Sequence, residues 1–332
     1  MKNPKFENVF ITGGAGYVGS ALVPKLLDDG YRIIVYDLFL YGDHLPNHPN
    51  LKKIKGDIRD RDKLISAAKK SDAFIHLACI SNDPSFDLDP KLGKSINFDA
   101  FSNVIDAAKI GGVKRFILAS STSQYGVKDP KTQVTEEATP EPITDYARFK
   151  MECENFLMKS DLKEMEYVFV RPATICGYAP RLRLDLSVNI LTINALVNKK
   201  IKIFGGSQLR PTLNIKDMAR VYELMLTAPG EKIHKQAFNV GYQNKSIMEL
   251  AKLVKNTLGS KEITFEITPT DDLRSYHINT DKIKKVLGFE PKFSIEDAIK
   301  SIAEAYSKGL IINGLENPIY HNVKQMKLLN LK

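Results

Sequence analysis

The first half of the chain alternates short runs of apolar, often β-branched residues with longer segments in which apolar residues recur every three or four positions. The short runs predict strands buried on both faces of a sheet, and the periodic segments predict amphipathic helices. The predicted strands cover residues 9–12, 33–37, 52–55, 73–78, 115–120 and 167–171, and the predicted helices cover 18–29, 61–70, 96–110 and 145–160. This alternation predicts an α/β protein with a Rossmann-type doubly wound parallel sheet.

The alternation weakens after residue 172, where prolines and glycines interrupt the chain before helical patterns resume at 217–226 and 247–258. We therefore predict a first domain at residues 1–172 and a smaller C-terminal α/β part at residues 173–332. A strand at 238–241 and a late helix at 296–306 are candidates to rejoin the first domain, so the boundary need not be a single cut.

The composition is that of an ordinary globular protein. The chain has 332 residues, of which 43% are hydrophobic and 26% are charged. Its 48 basic and 39 acidic side chains give a net charge of +9, but the lysines are scattered without interleaved aromatic residues. This pattern argues against a nucleic-acid partner.

The few cysteines and histidines indicate the compartment and argue against a metal site. Cys79, Cys153 and Cys176 form no C-x-x-C pair, and the six histidines have no metal-ligand spacing. The chain also lacks a run of about 18 apolar residues and a signal-peptide pattern at its N-terminus. We predict a cytoplasmic protein that needs no metal and has no membrane partner.

A glycine-rich segment, GGAGYVG at residues 13–19, separates the first predicted strand from the first predicted helix. Gly13, Gly16 and Gly19 are spaced as a dinucleotide-binding turn requires. Glycines there permit a tight turn, a close approach of the backbone to a diphosphate, and close packing of helix on strand. The N-terminus of the helix offers N–H groups and a partial positive charge to the phosphates.

The acidic residue expected after such a turn is Asp37, at the end of the second predicted strand and 18 residues beyond Gly19. A carboxylate there would accept hydrogen bonds from the adenosine ribose and repel a 2′-phosphate. No arginine follows Asp37 closely in sequence to receive that phosphate. The pair of features predicts NAD rather than NADP as the cofactor.

A candidate catalytic pair lies in the helix predicted at 145–160. Tyr146 and Lys150 are four residues apart, which places both side chains on one face of the helix. A nearby ammonium favours the phenolate, so we expect Lys150 to lower the pKa of Tyr146 from about 10 towards neutrality. Ser121 follows the strand predicted at 115–120, and it would share a hydrogen bond with a substrate hydroxyl that Tyr146 deprotonates.

These features together resemble the extended short-chain dehydrogenase/reductases, in the branch of nucleotide-sugar epimerases, dehydratases and reductases. The resemblance extends over nearly the whole chain. It rests on Gly13, Gly16, Gly19, Asp37, residues 56–60 (GDIRD) and 76–78 (HLA), Asn97, residues 120–126, Tyr146, Lys150, residues 171–174 (RPAT), Arg210 and residues 287–289.

The resemblance implies roles for individual residues. Ser121, Tyr146 and Lys150 would be catalytic. The residues implied to bind NAD are Gly13, Gly16, Tyr17, Val18, Gly19, Asp37, Asp57, Ile58, Leu77, Ala78, Asn97, Ser120, Tyr146, Lys150 and Pro172. The residues implied to bind a nucleoside-diphosphate sugar are Ser121, Thr122, Asn189, Arg210 and Arg274. The family also implies a homodimer formed through helices 96–110 and 145–160, and a role in making precursors of cell-surface polysaccharides or glycans.

Some positions depart from the family pattern. Members that eliminate water carry an Asp-Glu pair where this chain has Thr122 and Ser123, so a 4,6-dehydratase is not expected. Pro269 stands where many epimerases have an arginine that contacts phosphate, and in this chain Arg274 would make that contact instead. Arg181 and Arg183 belong to a stretch typical of a subgroup, and the sequence leaves open whether they face the substrate or the solvent.

Three functions are compatible with these residues. The first is a nucleotide-sugar 4-epimerase, in which hydride is taken from the sugar, at C4 as is usual in the family, and returned to the other face. The second is a dehydrogenase that releases a 4-keto sugar and the reduced cofactor. The third is a non-catalytic NAD-binding sensor or scaffold, which the presence of Ser121, Tyr146 and Lys150 disfavours.

Overall fold

A computed structural model of the chain describes residues 6–128, 132–270 and 277–331. Its strands are β1 (Asn8–Thr12), β2 (Arg32–Asp37), β3 (Leu51–Lys55), β4 (Ala73–His76), β5 (Arg115–Ala119), β6 (Gln133–Val134), β7 (Glu166–Pro172), β8 (Thr174–Cys176), β9 (Lys200–Phe204), β10 (Leu209–Asn214), β11 (Gln236–Val240), β12 (Gln243–Ser246), β13 (Thr264–Thr268) and β14 (His277–Ile278). Its α-helices are α1 (Tyr17–Asp28), α2 (Arg61–Ala68), α3 (Asp83–Phe86), α4 (Pro90–Lys94), α5 (Phe101–Gly111), α6 (Asp145–Lys159), α7 (Ser187–Asn198), α8 (Ile215–Thr227), α9 (Gly230–Ile233), α10 (Ile247–Leu258), α11 (Asp281–Leu287), α12 (Ile295–Ser307) and α13 (Asn322–Leu329).

The central sheet has seven parallel strands in the order β3-β2-β1-β4-β5-β7-β11. All four residues of β4 are buried, because helices cover both faces of the sheet. One face packs on α1 and α8, and the other packs on α2, α5 and α6. The strand order reverses between β1 and β4, as in doubly wound folds, and the predicted fold class is confirmed.

The helix predicted at 96–110 is interrupted near its start. Residues Ser95–Asp99 form a π-helical turn before α5 begins at Phe101. Within that turn the Asn97 side chain accepts a hydrogen bond from the Ile80 N–H (2.8 Å) and donates one to the Ile80 carbonyl (3.0 Å). Ile80 lies 17 residues before Asn97, and hydrophobic periodicity carries no information about a contact over that distance. The sequence pattern therefore did not indicate the π-helical turn.

The smaller part of the fold lies beyond the carboxyl ends of the central strands. It contains a three-stranded sheet, β12-β10-β8, and a two-stranded sheet, β13-β9. Helix α12, predicted at 296–306 as a candidate to rejoin the first domain, packs on α7 and α10 through Ile295, Ala298 and Ile299. Its Ile302 and Ala305 belong to the hydrophobic cluster that includes residues of the central strands. Strand β11 pairs with β7 in the central sheet, with Phe238 opposite Val170.

The chain returns to the central sheet at its C-terminal end. Helix α13 lies against α3, where Met326 packs with Ile80 and Phe86. The Gln325 side chain donates to the Leu40 carbonyl beyond β2. Across the ranges that the structure describes, no helix combines the length and the apolar character needed to cross a membrane.

Candidate active site

A cleft of about 510 Å³ lies outside the carboxyl ends of the central strands, between the sheet and the smaller part. In open α/β sheets this edge is the expected ligand position, because neighbouring loops diverge where the strand order reverses. The volume lies within the usual range for small-molecule sites. The glycine turn, the end of β2, the loop after β5 and the start of α6 all line this cleft.

The glycine turn connects β1 to α1. Gly13 has a φ of +72°, and a Cβ there would lie 2.5 Å from the Ala78 backbone nitrogen. A Cβ at Gly19 would lie 2.2 Å from the Gly14 carbonyl oxygen, whereas one at Gly16 would meet only the Gly13 carbonyl oxygen, at 3.2 Å. Helix α1 has no side-chain cap and no acidic residue in its first turn, so its leading N–H groups can bind an anion.

Asp37 lies at the end of β2, beside the glycine turn. Its Oδ2 accepts a hydrogen bond from the Ala15 N–H (2.9 Å), and its Oδ1 accepts one from the Phe39 N–H (2.7 Å). Burial raises the pKa of the Asp37 carboxyl above its usual value, while these N–H groups oppose that rise. Each oxygen retains capacity for a further hydrogen bond, which suits the two hydroxyls of a ribose.

Tyr146 and Lys150 lie one turn apart at the start of α6. Thr144 caps this helix by accepting a hydrogen bond from the Ala147 N–H (3.3 Å). The Lys150 Nζ lies 5.9 Å from the centre of the Tyr146 ring and donates to the Ala119 carbonyl (2.7 Å). The predicted pair thus shares one helix face, and both residues line the cleft.

The environment of the tyrosine differs from the expected one. Burial raises the pKa of Tyr146 to about 12, and the Lys150 ammonium offsets only part of that rise. The expectation that the lysine lowers this pKa towards neutrality is therefore wrong for the protein without ligands. The reason is that a phenolate loses more hydration in the buried site than one ammonium restores.

The loop after β5 carries the hydroxyl groups. Ser121 Oγ lies 2.8 Å from Ser123 Oγ and accepts a hydrogen bond from the Ser123 N–H. The Thr122 hydroxyl donates to the Pro172 carbonyl (3.0 Å). These contacts fix the loop, and they place Ser121 in the cleft lining with Tyr146.

Three arginines line the cleft: Arg181, Arg183 and Arg210. Arg183 pairs with Asp185 through Nε and Oδ1 (2.9 Å), and its NH1 donates to Ser81 Oγ (3.2 Å). Arg181 and Arg183 are only 3% and 8% exposed. Neither is a solvated surface residue, which settles the question that the sequence left open about their surroundings.

Most of the predicted site residues meet in this cleft. The predicted residues that line it are Gly13, Gly16, Tyr17, Val18, Gly19, Asp37, Asp57, Ile58, Leu77, Ala78, Ser120, Ser121, Thr122, Tyr146, Lys150, Pro172 and Arg210. Arg274 lies outside the described residues. Across the described ranges, no three His, Cys, Asp or Glu side chains are grouped as a metal site would require.

Two predicted contacts are absent from the cleft lining. Asn97 binds the backbone of Ile80 through both ends of its amide. Asn189 is fully buried, where it accepts from the Gly177 N–H (2.9 Å) and donates to the Arg183 carbonyl (2.8 Å). These amides hold the loops that form the site, and their predicted contacts with NAD and with the sugar nucleotide stay predictions.

The sequence did not indicate several lining residues. Tyr41, Ser81, Tyr222 and Asn322 line the cleft from four separate segments. Asn322 donates to Ser81 Oγ (2.9 Å), although 241 residues separate the two in the chain. No local motif marks such a contact, since it arises from the return of the C-terminal segment to the sheet.

Comparison with known proteins places this arrangement in a family. The model of the NAD dependent epimerase/dehydratase family matches residues 9–241. The UDP-glucose 4-epimerase of Mycolicibacterium smegmatis is 28% identical over 310 residues, which cover 89% of this chain and 97% of that protein. UDP-glucuronic acid decarboxylase 4 of Arabidopsis thaliana is 30% identical over 311 residues, which cover 89% of this chain and 67% of that protein.

Solved structures agree with the sequence relatives. The crystal structure of a UDP-glucose 4-epimerase from Thermotoga maritima, determined with UDP-glucose, is similar with a TM-score of 0.82 and 26% identity. The match covers 91% of this chain and 99% of that one. The predicted resemblance and the predicted NAD cofactor are both confirmed by the family match. The chain belongs to the NAD-dependent epimerase/dehydratase family of enzymes that act on nucleotide sugars.

Proposed function

We propose that this protein is an NAD-dependent 4-epimerase of a nucleoside-diphosphate sugar, used to make precursors of cell-surface polysaccharides or glycans. The observation that carries the proposal is the meeting of Ser121, Tyr146 and Lys150 with the glycine turn and Asp37 in one cleft. A substrate in this cleft would therefore contact a proton acceptor, Tyr146, and would lie beside a dinucleotide bound by the glycine turn and Asp37. Neither group alone would support oxidation of a sugar hydroxyl.

The cleft fits the dinucleotide on its own geometry. The turn around Gly16 is open to the cleft, and the first N–H groups of α1 are available to a diphosphate. Asp37 would bind the adenosine ribose, Asp57 and Ile58 would lie against the adenine, and Lys150 would bind the second ribose. Bound NAD supplies a reversible acceptor for the hydride on the sugar carbon.

The chain contributes the proton chemistry. Tyr146 takes the proton of the sugar hydroxyl, and the Lys150 ammonium favours the phenolate that this requires. Because burial raises the pKa of Tyr146 to about 12 in the protein without ligands, the phenol must first release its own proton to solvent, and the Lys150 ammonium favours that release. The phenol formed when Tyr146 takes the proton of the sugar hydroxyl returns that proton when the keto sugar is reduced. Ser121 hydrogen-bonds the same hydroxyl and holds it towards the tyrosine.

The residues after Ser121 restrict the fate of the oxidised sugar. Thr122 donates to a backbone carbonyl and Ser123 bonds Ser121, and neither hydroxyl exchanges a proton near neutral pH. Elimination of water needs an acid and a base at these positions in the family, so loss of water is not expected. The keto sugar then rotates in the cleft and is reduced on its other face, which gives the C4 epimer.

The named relatives guide the choice of substrates. The similar proteins are UDP-glucose 4-epimerases and a UDP-glucuronic acid decarboxylase, so UDP sugars are the first compounds to test. The purified protein is incubated with NAD and UDP-glucose, UDP-galactose or UDP-glucuronic acid, followed by GDP, CDP and dTDP sugars. Products are separated by chromatography, and the near-ultraviolet absorbance of reduced nicotinamide is recorded in the same samples.

The two readouts separate the possible reactions. A new sugar isomer without a sustained rise in absorbance supports the epimerase. A rise beyond the amount of enzyme indicates the dehydrogenase, and release of carbon dioxide from UDP-glucuronic acid indicates a decarboxylase. No turnover of any nucleotide sugar, with NAD bound, would favour the non-catalytic sensor or scaffold.

Tyr146→Phe tests the mechanism directly. Because the substitution removes the proton acceptor and keeps the ring, we expect kcat to fall by about 100- to 10,000-fold while NAD still binds. Tyr306→Phe is a matched control, because Tyr306 lies on α12 with a partly exposed ring away from the cleft lining. Retention of nearly full activity by Tyr146→Phe would remove Tyr146 from the proposed role.

A further inference from the structure

Arg181 stands out among the buried charges of the cleft. Its side chain is 3% exposed, and it lines the cleft near the chain's C-terminal helix. The NH2 group donates to Asn322 Oδ1 (2.6 Å), whereas Nε and NH1 have no hydrogen-bond acceptor among the described residues. The neighbouring Arg183, by contrast, has Asp185 as a carboxylate partner.

An arginine with two unpaired N–H positions is an unfavourable group in a protein interior. Guanidinium groups keep their charge under almost all conditions, so Arg181 cannot remove its need for hydrogen-bond acceptors by losing a proton. Burial, together with repulsion from Arg183, lowers the pKa of Arg181 to about 10, which leaves it charged at neutral pH. A bound anion would provide the acceptors that the protein lacks.

The elements around Arg181 are the ones that would bind the dinucleotide: helix α1 after the glycine turn and the loop after Asp37. Its backbone N–H donates to Ser20 Oγ in α1 (3.1 Å), directly after Gly19. The guanidinium carbon lies 3.7 Å from the centre of the Tyr41 ring, four residues after Asp37. Asn322, which holds the NH2 group, also bonds Ser81 in the loop after β4. Segments that follow β1, β2 and β4 thus surround Arg181: α1 binds its backbone, Tyr41 stacks on its guanidinium, and Ser81 binds its partner Asn322.

We propose that Arg181 binds the diphosphate of NAD and that Tyr41 and Asn322 hold it for that contact. A guanidinium presents a planar set of donors that matches phosphate oxygens, and the start of α1 supplies N–H groups to the same anion. The diphosphate of the sugar nucleotide has the same chemistry. The cofactor is favoured because Arg181 is attached to α1 and the β2 loop.

The contact requires a small adjustment of the cleft. Nε and NH1 are enclosed in this structure, and the Tyr41 ring lies over the guanidinium. We therefore expect the Tyr41 side chain to shift when the dinucleotide binds. The proposal rests on NAD as the cofactor of the family and does not depend on the reaction proposed above, since binding can be measured without turnover.

The experiment compares Arg181→Met with the unchanged protein by calorimetric titration of NAD, ADP-ribose, adenosine and UDP. NAD and ADP-ribose carry the cofactor's diphosphate, adenosine carries no phosphate, and UDP represents the substrate's diphosphate. We expect NAD and ADP-ribose to bind about 10- to 100-fold more weakly and adenosine and UDP to change by less than about twofold. Protein purified with its cofactor should also retain less NAD after gel filtration.

The melting temperature without ligand distinguishes binding from a structural role. Removal of a buried charge that lacks acceptors should leave the melting temperature unchanged or raise it, whereas loss of a structural residue lowers it. Arg61→Met is the control, because Arg61 pairs with Asp106 on the surface of α2 and α5.

Three results would overturn the proposal. Unchanged NAD affinity would show that Arg181 makes no contact with the cofactor. A loss of affinity for adenosine as large as that for NAD and ADP-ribose would show that Arg181 acts through Asp37 or Tyr41 rather than by binding phosphate. A selective loss for UDP would assign Arg181 to the diphosphate of the substrate. If Arg181→Met does not fold, Arg181→Lys keeps the charge without the planar donor set, and we expect an intermediate loss for NAD and ADP-ribose.

Discussion

Asp37 shapes the turn beside the glycine-rich segment, and we expect the same carboxylate to select the ligand. Its two oxygens bind the backbone N–H groups of Ala15 and Phe39, which fixes the turn and the start of the β2 loop. The same residue lines the cleft, where its oxygens can accept hydrogen bonds from ribose hydroxyls. A 2′-phosphate would bring a second negative charge to this position and would be repelled.

We expect Asp37→Ala to weaken NAD binding by about 10- to 100-fold, because two charge-assisted hydrogen bonds are lost. The preference for NAD over NADP should shrink at the same time, since the repelling charge is gone. Titration of both dinucleotides measures the change, and Asp62→Ala at an exposed position of α2 is the control. Unchanged affinity for both dinucleotides would exclude Asp37 from the cofactor site.

The β1–turn–α1 element depends on close backbone approach. At Gly13 a Cβ would overlap the backbone of Ala78 on the neighbouring strand connection, and the φ of +72° is itself unfavourable for other residues. Gly30, at the other end of α1, has a φ of +92° but has no atom within 4 Å of the added Cβ. An added Cβ would therefore cause backbone strain alone at Gly30, and both backbone strain and steric overlap at Gly13.

Substitution of alanine at these two positions should give different losses of stability. We expect Gly30→Ala to lower the free energy of unfolding by about 1 kcal/mol, from strain alone. Gly13→Ala should lower it by about 3 kcal/mol or more, because β1 and β4 must also move apart. Urea denaturation of both variants provides the comparison. Equal losses would mean that the turn can relax without disturbing the sheet.

The whole molecule is expected to form a homodimer through α5 and α6, as the family resemblance implies. Both helices carry exposed apolar side chains, with Ile110 at 55% and Met158 at 52% exposure. Light scattering after gel filtration should then give twice the chain mass of 37.3 kDa. Burial of these side chains between two copies would remove apolar surface from water.

We expect Met158→Glu to produce monomers, because a charge would enter the apolar contact. Leu310→Glu is the matched control, since Leu310 is similarly exposed but lies after α12, away from both helices. A monomeric unchanged protein, or a dimer that tolerates Met158→Glu, would contradict this mode of assembly.

Local sequence determined much of the fold and the centre of the site. Buried strands and amphipathic helices have periods of their own, so alternation alone indicated the central parallel sheet. The glycine turn, Asp37 and the Tyr146–Lys150 pair were also recognisable, since each depends on spacing within one or two elements. The proposed chemistry depends on residues whose relative positions the backbone geometry fixes over short distances.

Tertiary structure decided what lies between distant segments. Asn97 and Asn189 bind loop backbones at Ile80, Gly177 and Arg183, and only packing brings these partners together. The burial of Arg181 and its contact with Asn322 depend on the return of the C-terminal helix across the cleft. The pKa of Tyr146 likewise depends on desolvation, which is a property of the assembled cleft and has no counterpart in the spacing of residues along the chain.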